Sequence, residues 1–412
     1  MDSSPHARGL AIILASASVF AASLPCAAQT TPAGAQPYAS LNRDAVGYSG
    51  PGREAASDLP RDAVTIGIIL PLRGARAAEG QGLLQAAQLA VEDEAAGPPP
   101  GGLRLRLAAG DEGGPWGQAS SEIVRLVFEE QAVALVTSAN GSIAHQAEQI
   151  SNKVGVPILT LASDSATTET NIPWIFRMGP SDADQARAFA LDIYQERRFQ
   201  RVLLVVQADH DGRAGGDEFE KAARRMAAPQ PARLAIASGE ANWEAVTAQI
   251  RSHKPGAIVL WMDAQTAAGL LPKMRNTNAS VPIYLCRKAA LGATPSSSVS
   301  LAQDSRDDPG IWSVYSRSGE RMSARKEFDR RYYTKLGIRP TAAAEEVYDM
   351  VRVIAAALRR SGPNRARLRD QLASGAIFSG GAFPVAFDPA GNTRGDYVVL
   401  AVATGSAQGL PF

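Results

Sequence analysis

Ser142 and His145 stand three residues apart in "NGSIAHQ", a spacing that puts a hydroxyl and an imidazole on one helix face and raises nucleophilic chemistry. No GxSxG elbow accompanies them and nothing in the spacing supplies a carboxylate to aim the ring, so the pattern predicts a solvent-facing histidine and no catalytic residue. "DHDGRAGGDE", Asp209 to Glu218, resembles part of a calcium loop. It lacks the third ligand position and the distal glutamate, and is read as a strand-end loop whose acids and glycines cap the next helix, with no metal expected. "GIILPLRGARAAEG" has neither a GxGxxG nor a phosphate-loop lysine, which argues against a dinucleotide or triphosphate and leaves no cofactor to expect. The chemistry that remains is anion binding. Ser142, the segment "LASDSATTE" and the loop at Asp209 all fall where an apolar run gives way to a helix. Unpaired N–H groups and the hydroxyls of Ser142, Ser163 and Ser165 could hold a carboxylate there, or serve only as caps.

The elements that position these residues follow from periodicity. From Val64 onward short apolar runs alternate with amphipathic stretches, the signature of parallel sheets wrapped by helices. "VTIGIIL" is a strand, and Leu83, Ala87, Ala90 and Val91 recur at helical spacing. "LRLRL" alternates as an edge strand with one wetted face. "VALVTS", "VPILTLAS" and "WIFRM" are further strands, with a helix over "IAHQAEQISNKV". The alternation then restarts through "VLLVVQ", "RLAIAS", "AIVLWM" and "PIYLC", with helices near 181–198, 215–227, 242–253 and 264–276. Beyond "IWSVYS" come helices over about 320–336 and 341–361, and "FPVAFDPAGNTRGDYVVLAV" reads as a hairpin. Two successive α/β units are therefore expected.

The chain has 412 residues, 45% hydrophobic and 20% charged, with 42 basic against 41 acidic side chains and a net charge of +1. That length suits two cores, and the charge balance offers no footprint for nucleic acid. Arg8, the apolar stretch from Leu10 to Leu24 and "CAAQ" read as a secretory signal peptide over residues 1–28, too short for a membrane span. Cys26 as a lipid anchor fits poorly after Leu24 and Pro25. Removal of the leader leaves Cys286 as the single cysteine, read as a buried small hydrophobe. Residues 29–61 have no hydrophobic periodicity and read as a flexible arm.

The order and spacing of "VTIGIILPL", "GDEGGPWGQASSEIVRLV", "GVPILTLASDSATTE", "IFRMGPSDADQARAFA", "VYDMVRVIAAALRRSG" and "FDPAGN" resemble the exported solute-binding proteins of ABC importers, of the leucine/isoleucine/valine-binding type. The resemblance implies two Rossmann-like lobes with parallel central sheets joined by a three-segment hinge: lobe 1 over 62–178 and 283–383, lobe 2 over 179–282 and 384–412. It places the hinge crossings at "FRMGPSDADQ", near Val281 to Leu285 and near Phe383 to Phe387. It further implies a soluble periplasmic monomer that closes on a small-molecule solute and delivers it to an inner-membrane permease, without catalysis; a sensor that signals on closure is the alternative.

Carried over by position, the resemblance assigns Ser142 to the ligand carboxylate and puts the carbonyl of Ala162 near the ligand ammonium, with Ser163 beside it. The chain departs from the family with Asp164 where a threonine is usual, and with Glu79 and Asp211 where aromatics are common. Thr266 stands at the second-lobe acid position, with Asp263 the nearby carboxylate. Such a cleft implies a polar or cationic solute, unless Arg73 neutralises one acid.

Overall fold

Fully buried apolar runs and amphipathic helices alternate along the chain, and each run pairs with the next across a helix. In the computed structural model the described residues are 59, 63–97, 104–114, 117–170, 172–239, 242–277, 281–292, 310–316, 323–380, 384–395 and 397–401. The proposed leader, Cys26 and, apart from Leu59, the arm lie outside them. The first half runs β1 (Ala63–Leu70), α1 (Ala77–Ala95), β2 (Arg104–Asp111), α2 (Gln118–Phe128), β3 (Ala134–Thr137), α3 (Gly141–Val154), β4 (Ile158–Thr160), the single turn α4 (Ala166–Glu169) and β5 (Ile175–Arg177). The second runs α5 (Asp182–Ala190), continued by a π-helical turn over Leu191–Glu196, then β6 (Val202–Gln207), α6 (His210–Arg225), β7 (Ala232–Ile236), α7 (Trp243–Ser252), β8 (Ala257–Trp261), α8 (Ala264–Thr277), β9 (Ile283–Leu285), the short α9 (Arg287–Ala290) and β10 (Ile311–Ser316). Last come α10 (Ser323–Leu336), α11 (Ala342–Ser361), α12 (Arg365–Ala373), β11 (Phe378–Ser379), β12 (Pro384–Val385) and β13 (Tyr397–Ala401).

Two sheets result. The first is five-stranded and parallel in the order β2-β1-β3-β4-β5. The second is six-stranded in the order β13-β10-β9-β8-β6-β7, parallel except for β13. Each sheet has helices on its faces and its own apolar core, one joining β1 to α1 and α11 and one joining β6 and β8 to α5 and α8. β2 lies at an edge, and Arg104 and Arg106 stand exposed between partly buried leucines, as its alternating sequence requires. All described residues belong to one unit, Pro37–Phe412, and no described helix is long and apolar enough to cross a membrane.

Several expectations are corrected. β9 and β10 belong to the second sheet, so the chain does not cross at Val281–Leu285. It returns to the first lobe between Ser316 and α10, whose Phe328 and Tyr332 enter the first core. A buried parallel strand carries the same apolar run in either sheet, and only the non-local register Ile258↔Ile283 decides its place. The third passage also comes later than Phe383–Phe387: Val385 pairs with Phe378, and Phe387 meets Phe176 of the first lobe edge to face. "FPVAFDPAGNTRGDYVVLAV" is accordingly a hairpin only at its turn, where Phe387 and Thr393 form an antiparallel bridge. Its turn closes through Asp388 N–H to Asn392 O and Arg394 N–H to Ala386 O, but β12 joins β11 while β13 joins β10. Finally, α6 starts at His210, so the glycines of "DHDGRAGGDE" lie inside a helix and not before it.

Candidate functional site

The strand carboxyl ends of the two sheets face each other. Beyond β1, β2, β3 and β4 lie Arg76 and Glu79, Glu112, Gly141, and Ser163 with Asp164. Beyond β6, β8 and β9 lie Asp209 to Asp211, Asp263 and Lys288. Between them is a narrow gap lined by Ser163 of the first lobe and by Asp211, Trp261, Met262, Asp263 and Lys288 of the second, among others. Helix starts converge on it, which makes the location favourable for an anionic group.

The start of α3 holds a carboxylate. Its N-cap Asn140 accepts from Ser142 N–H at 3.1 Å, and Asn140 N–H donates to Ser138 Oγ at 3.2 Å. The next free donor, Gly141 N–H, reaches both oxygens of Asp211 at 3.2 Å across the cleft. A Cβ at residue 141 would stand 2.3 Å from Asp211 Oδ1, so glycine is what permits the approach. Lys288 completes the group with an ion pair to Asp211. Burial would lower the lysine's pKa, but the adjacent Asp211 outweighs it and the net shift is upward.

Asp164 gathers a second group. Its Oδ2 meets His145 Nε2 at 2.9 Å and His210 Nε2 at 2.6 Å, and its Oδ1 accepts from Ala166 N–H at 2.9 Å. His145 Nδ1 lies 3.0 Å from Glu148 Oε2. With a carboxylate at each nitrogen, the ring's pKa rises to about 10, chiefly through the bonds to Asp164 and Glu148. Burial alone would raise the Asp164 carboxyl, but the two histidines and Ala166 N–H hold it far below the ordinary range. Buried Arg177 fixes this loop, donating to Asp164 O at 2.6 Å and Thr167 Oγ1 at 3.1 Å.

Of the predicted site residues, Asp164, Ser163, Asp211 and Asp263 come together at the cleft. Asp263 caps α8, accepting from Thr266 N–H at 2.7 Å and Gln207 Nε2 at 2.9 Å; burial raises its pKa, and these bonds turn the net shift downward. Thr266 is buried and serves that cap. Ala162 is buried, its N–H on Thr160 Oγ1 at 3.0 Å and its methyl in the core. Ser142 is exposed and its N–H is taken by Asn140, so the donor facing the cleft is Gly141, one residue earlier. Arg73 is 77% exposed in its side chain and stands 3.9 Å from Asp111, not beside Glu79, Asp164 or Asp211. The cation beside the acids is Arg76 instead, bidentate on Glu79 at 2.9 and 2.7 Å and 3.0 Å from Glu112. His145 is not solvent-facing, because Glu148 on the next turn aims it. Its spacing, i to i+3, was the available signal. His210, Lys288 and Trp261 were missed; their partners are remote in sequence and no local pattern marks them.

A family model described as periplasmic binding protein matches residues 63–407. The "Amino acid binding protein" of Pseudomonas aeruginosa is 24% identical over 190 residues, 46% of this chain and 51% of that protein, so the chain spans about half the length of the curated relative it matches. Among solved structures, a leucine binding protein from Thermotoga maritima aligns with a TM-score of 0.69 at 20% identity, covering 83% of this chain and 96% of that one. A solute binding protein of an ABC transporter from R. palustris, in complex with benzoate, aligns with a TM-score of 0.70 at 19% identity, covering 84% and 95%. A branched-chain amino acid transporter substrate binding protein from Streptococcus pneumoniae, in complex with isoleucine, gives 0.67 at 20% identity, covering 82% and 96%.

Proposed function

The chain belongs to the periplasmic binding protein family, and from that premise we propose that it is an exported protein that captures a small amino-bearing carboxylic acid, or a related amide, between its lobes and passes it to an ABC importer permease. The observation that carries the reading is the start of α3. Gly141 N–H already donates to a carboxylate, that of Asp211, with Lys288 beside it. A solute carboxylate would take over these donors. Asp211, released from them, and Asp263 would then face the solute's amino group. Nearer the first lobe, Glu79 and Glu112 share Arg76, and Asp164 meets His145 and His210. With the Gly141 and Lys288 donors on one side and the Asp211 and Asp263 acids on the other, a zwitterion is favoured among the polar or cationic solutes that the sequence suggested. The leucine, isoleucine and benzoate named for the related structures all carry a carboxylate, which agrees with the anion half of the reading.

Calorimetric titration of the purified chain with amino acids, their amides, benzoate and polyamines tests this. The expected hit carries both a carboxylate and an amino group. Lys288→Met, which keeps the aliphatic stem, should weaken it tenfold or more, because a hydrogen bond to a charged group contributes about 1.5–3 kcal/mol. Binding of polyamines alone, or a hit that Lys288→Met and Asp211→Asn leave unchanged, would sink the placement.

A further inference from the structure

We propose that His145, Asp164 and His210 form a transition-metal site, zinc by preference, that bridges the two lobes at the rim of the cleft. Neither histidine nor Asp164 lines the inner space, so zinc uptake can be measured there without solute. His145 and Asp164 come from the first lobe, on α3 and on the loop after β4, and His210 opens α6 of the second. Their donor atoms all lie within 4.8 Å of one another. Both Nε2 atoms aim at the same carboxylate oxygen, at 2.9 and 2.6 Å. The rings meet edge to face with centroids 5.6 Å apart, an arrangement that lets two nitrogens converge without stacking.

The donor chemistry selects the ion. Two imidazoles and a carboxylate suit zinc with a water in the fourth position, whereas magnesium and calcium seek six or more oxygens. Tetrahedral zinc with bonds of about 2.0–2.1 Å needs donors about 3.3 Å apart, so the two histidine–carboxylate separations of 2.9 and 2.6 Å have to lengthen by less than about 1 Å. For His145 and Asp164 the outer shell that metal ligands require is already built. Glu148, only 2% exposed, receives His145 Nδ1 at 3.0 Å and also takes the hydroxyl of Thr170. Ala166 N–H holds the other oxygen of Asp164, and Arg177 grips its backbone carbonyl. On coordination each Nε2 gives its proton to solvent and its lone pair to the ion. Because the donors belong to opposite lobes, the ion binds the closed form and draws the lobes together.

The test uses the full chain, stripped with a chelator and titrated with zinc ion alone, without solute. One zinc per chain, a higher Tm and a smaller radius of gyration are expected, and cobalt(II) in its place should give the visible absorption bands of a tetrahedral ion. His145→Ala and His210→Ala should each weaken zinc by at least the roughly 10–100-fold that outer-shell changes cause, and Glu148→Gln by about that amount. His210 is 44% exposed in its side chain, so its variant should keep the circular-dichroism spectrum of the stripped chain. Failure of the wild-type chain to take up one zinc, or zinc affinity unchanged in both histidine variants, would overturn the site. Solute binding measured with chelator present is a separate readout, so loss of one result leaves the other standing.

Discussion

At the scale of single residues, the cleft is a set of charges whose protonation is tied to burial. Asp182, N1 of α5, is 1% exposed. Its carboxyl rises from 3.8 to about 7, chiefly by burial and further through the nearby Asp211 and Asp164 carboxylates, against a hydrogen bond with Ser163. The folded chain therefore keeps this proton to higher pH than the unfolded chain does. The resulting stabilisation is complete below the unfolded pKa, is lost as pH rises towards 7, and changes little above it. Asp182→Asn keeps an oxygen for Ser163 and Gln185 while removing the charge. Its Tm should gain on the wild type between pH 5 and pH 8 by several degrees, since each pKa unit corresponds to about 1.4 kcal/mol. A gap that does not widen would show that Asp182 ionises freely. Part of this scale was legible in the sequence: Asp164, Asp211 and Asp263, singled out there, stand beyond the facing strand ends. Counter-ions were harder to read, because Lys288 is 77 positions from Asp211 and His210 is 46 from Asp164. No local spacing encodes such pairs.

At the scale of elements, α6 shows how a helix carries site residues to their place. His210 and Asp211 project from its first turn, whose N-cap Asp209 accepts from Gly212 N–H at 2.8 Å. A Cβ on Gly215 would lie 1.8 Å from Trp261 Nε1, and one on Gly212 2.2 Å from Gln207 O. Helix propensity favours Gly215→Ala by about 0.8–1.0 kcal/mol. Overpacking against a ring only 2% exposed costs about 1–3 kcal/mol and should win. The variant is expected to unfold at lower denaturant, and to bind solute and zinc more weakly as α6 is pushed off β8; a stabilised Gly215→Ala would mean that α6 does not rest on Trp261. The same glycines obscured the start of α6 in the sequence, where they read as loop. α12 was missed for the opposite reason. Its "RARLRDQLA" is rich in charge, yet Arg369 is fully buried and donates to Pro173 O at 2.9 Å. Strand runs were legible throughout, but which sheet takes β9 and β10 was not, because both sheets ask for the same apolar pattern.

At the scale of the whole molecule, the contacts that close the cleft are made within the chain itself. His210 to Asp164, Asp211 to Gly141 and Arg287 to Leu161 O at 2.9 Å all join one lobe to the other. A solute that binds only the closed form has an apparent affinity scaled by the closed fraction. Any cross-cleft bond that raises this fraction therefore tightens solute binding without touching solute. His210 is suited to isolate the effect, since it is partly exposed and lies outside the inner lining. A partly exposed ion pair contributes roughly 0–1 kcal/mol, and 1.4 kcal/mol is tenfold in an equilibrium. His210→Ala, measured with chelator present, should then enlarge the radius of gyration of the solute-free chain and weaken a solute hit by less than about tenfold. Adding saturating solute should restore the wild-type radius, because binding energy substitutes for the missing bond. If the radius and the affinity are both unchanged, the lobes stay closed for other reasons and the contact at Asp164 is not a latch.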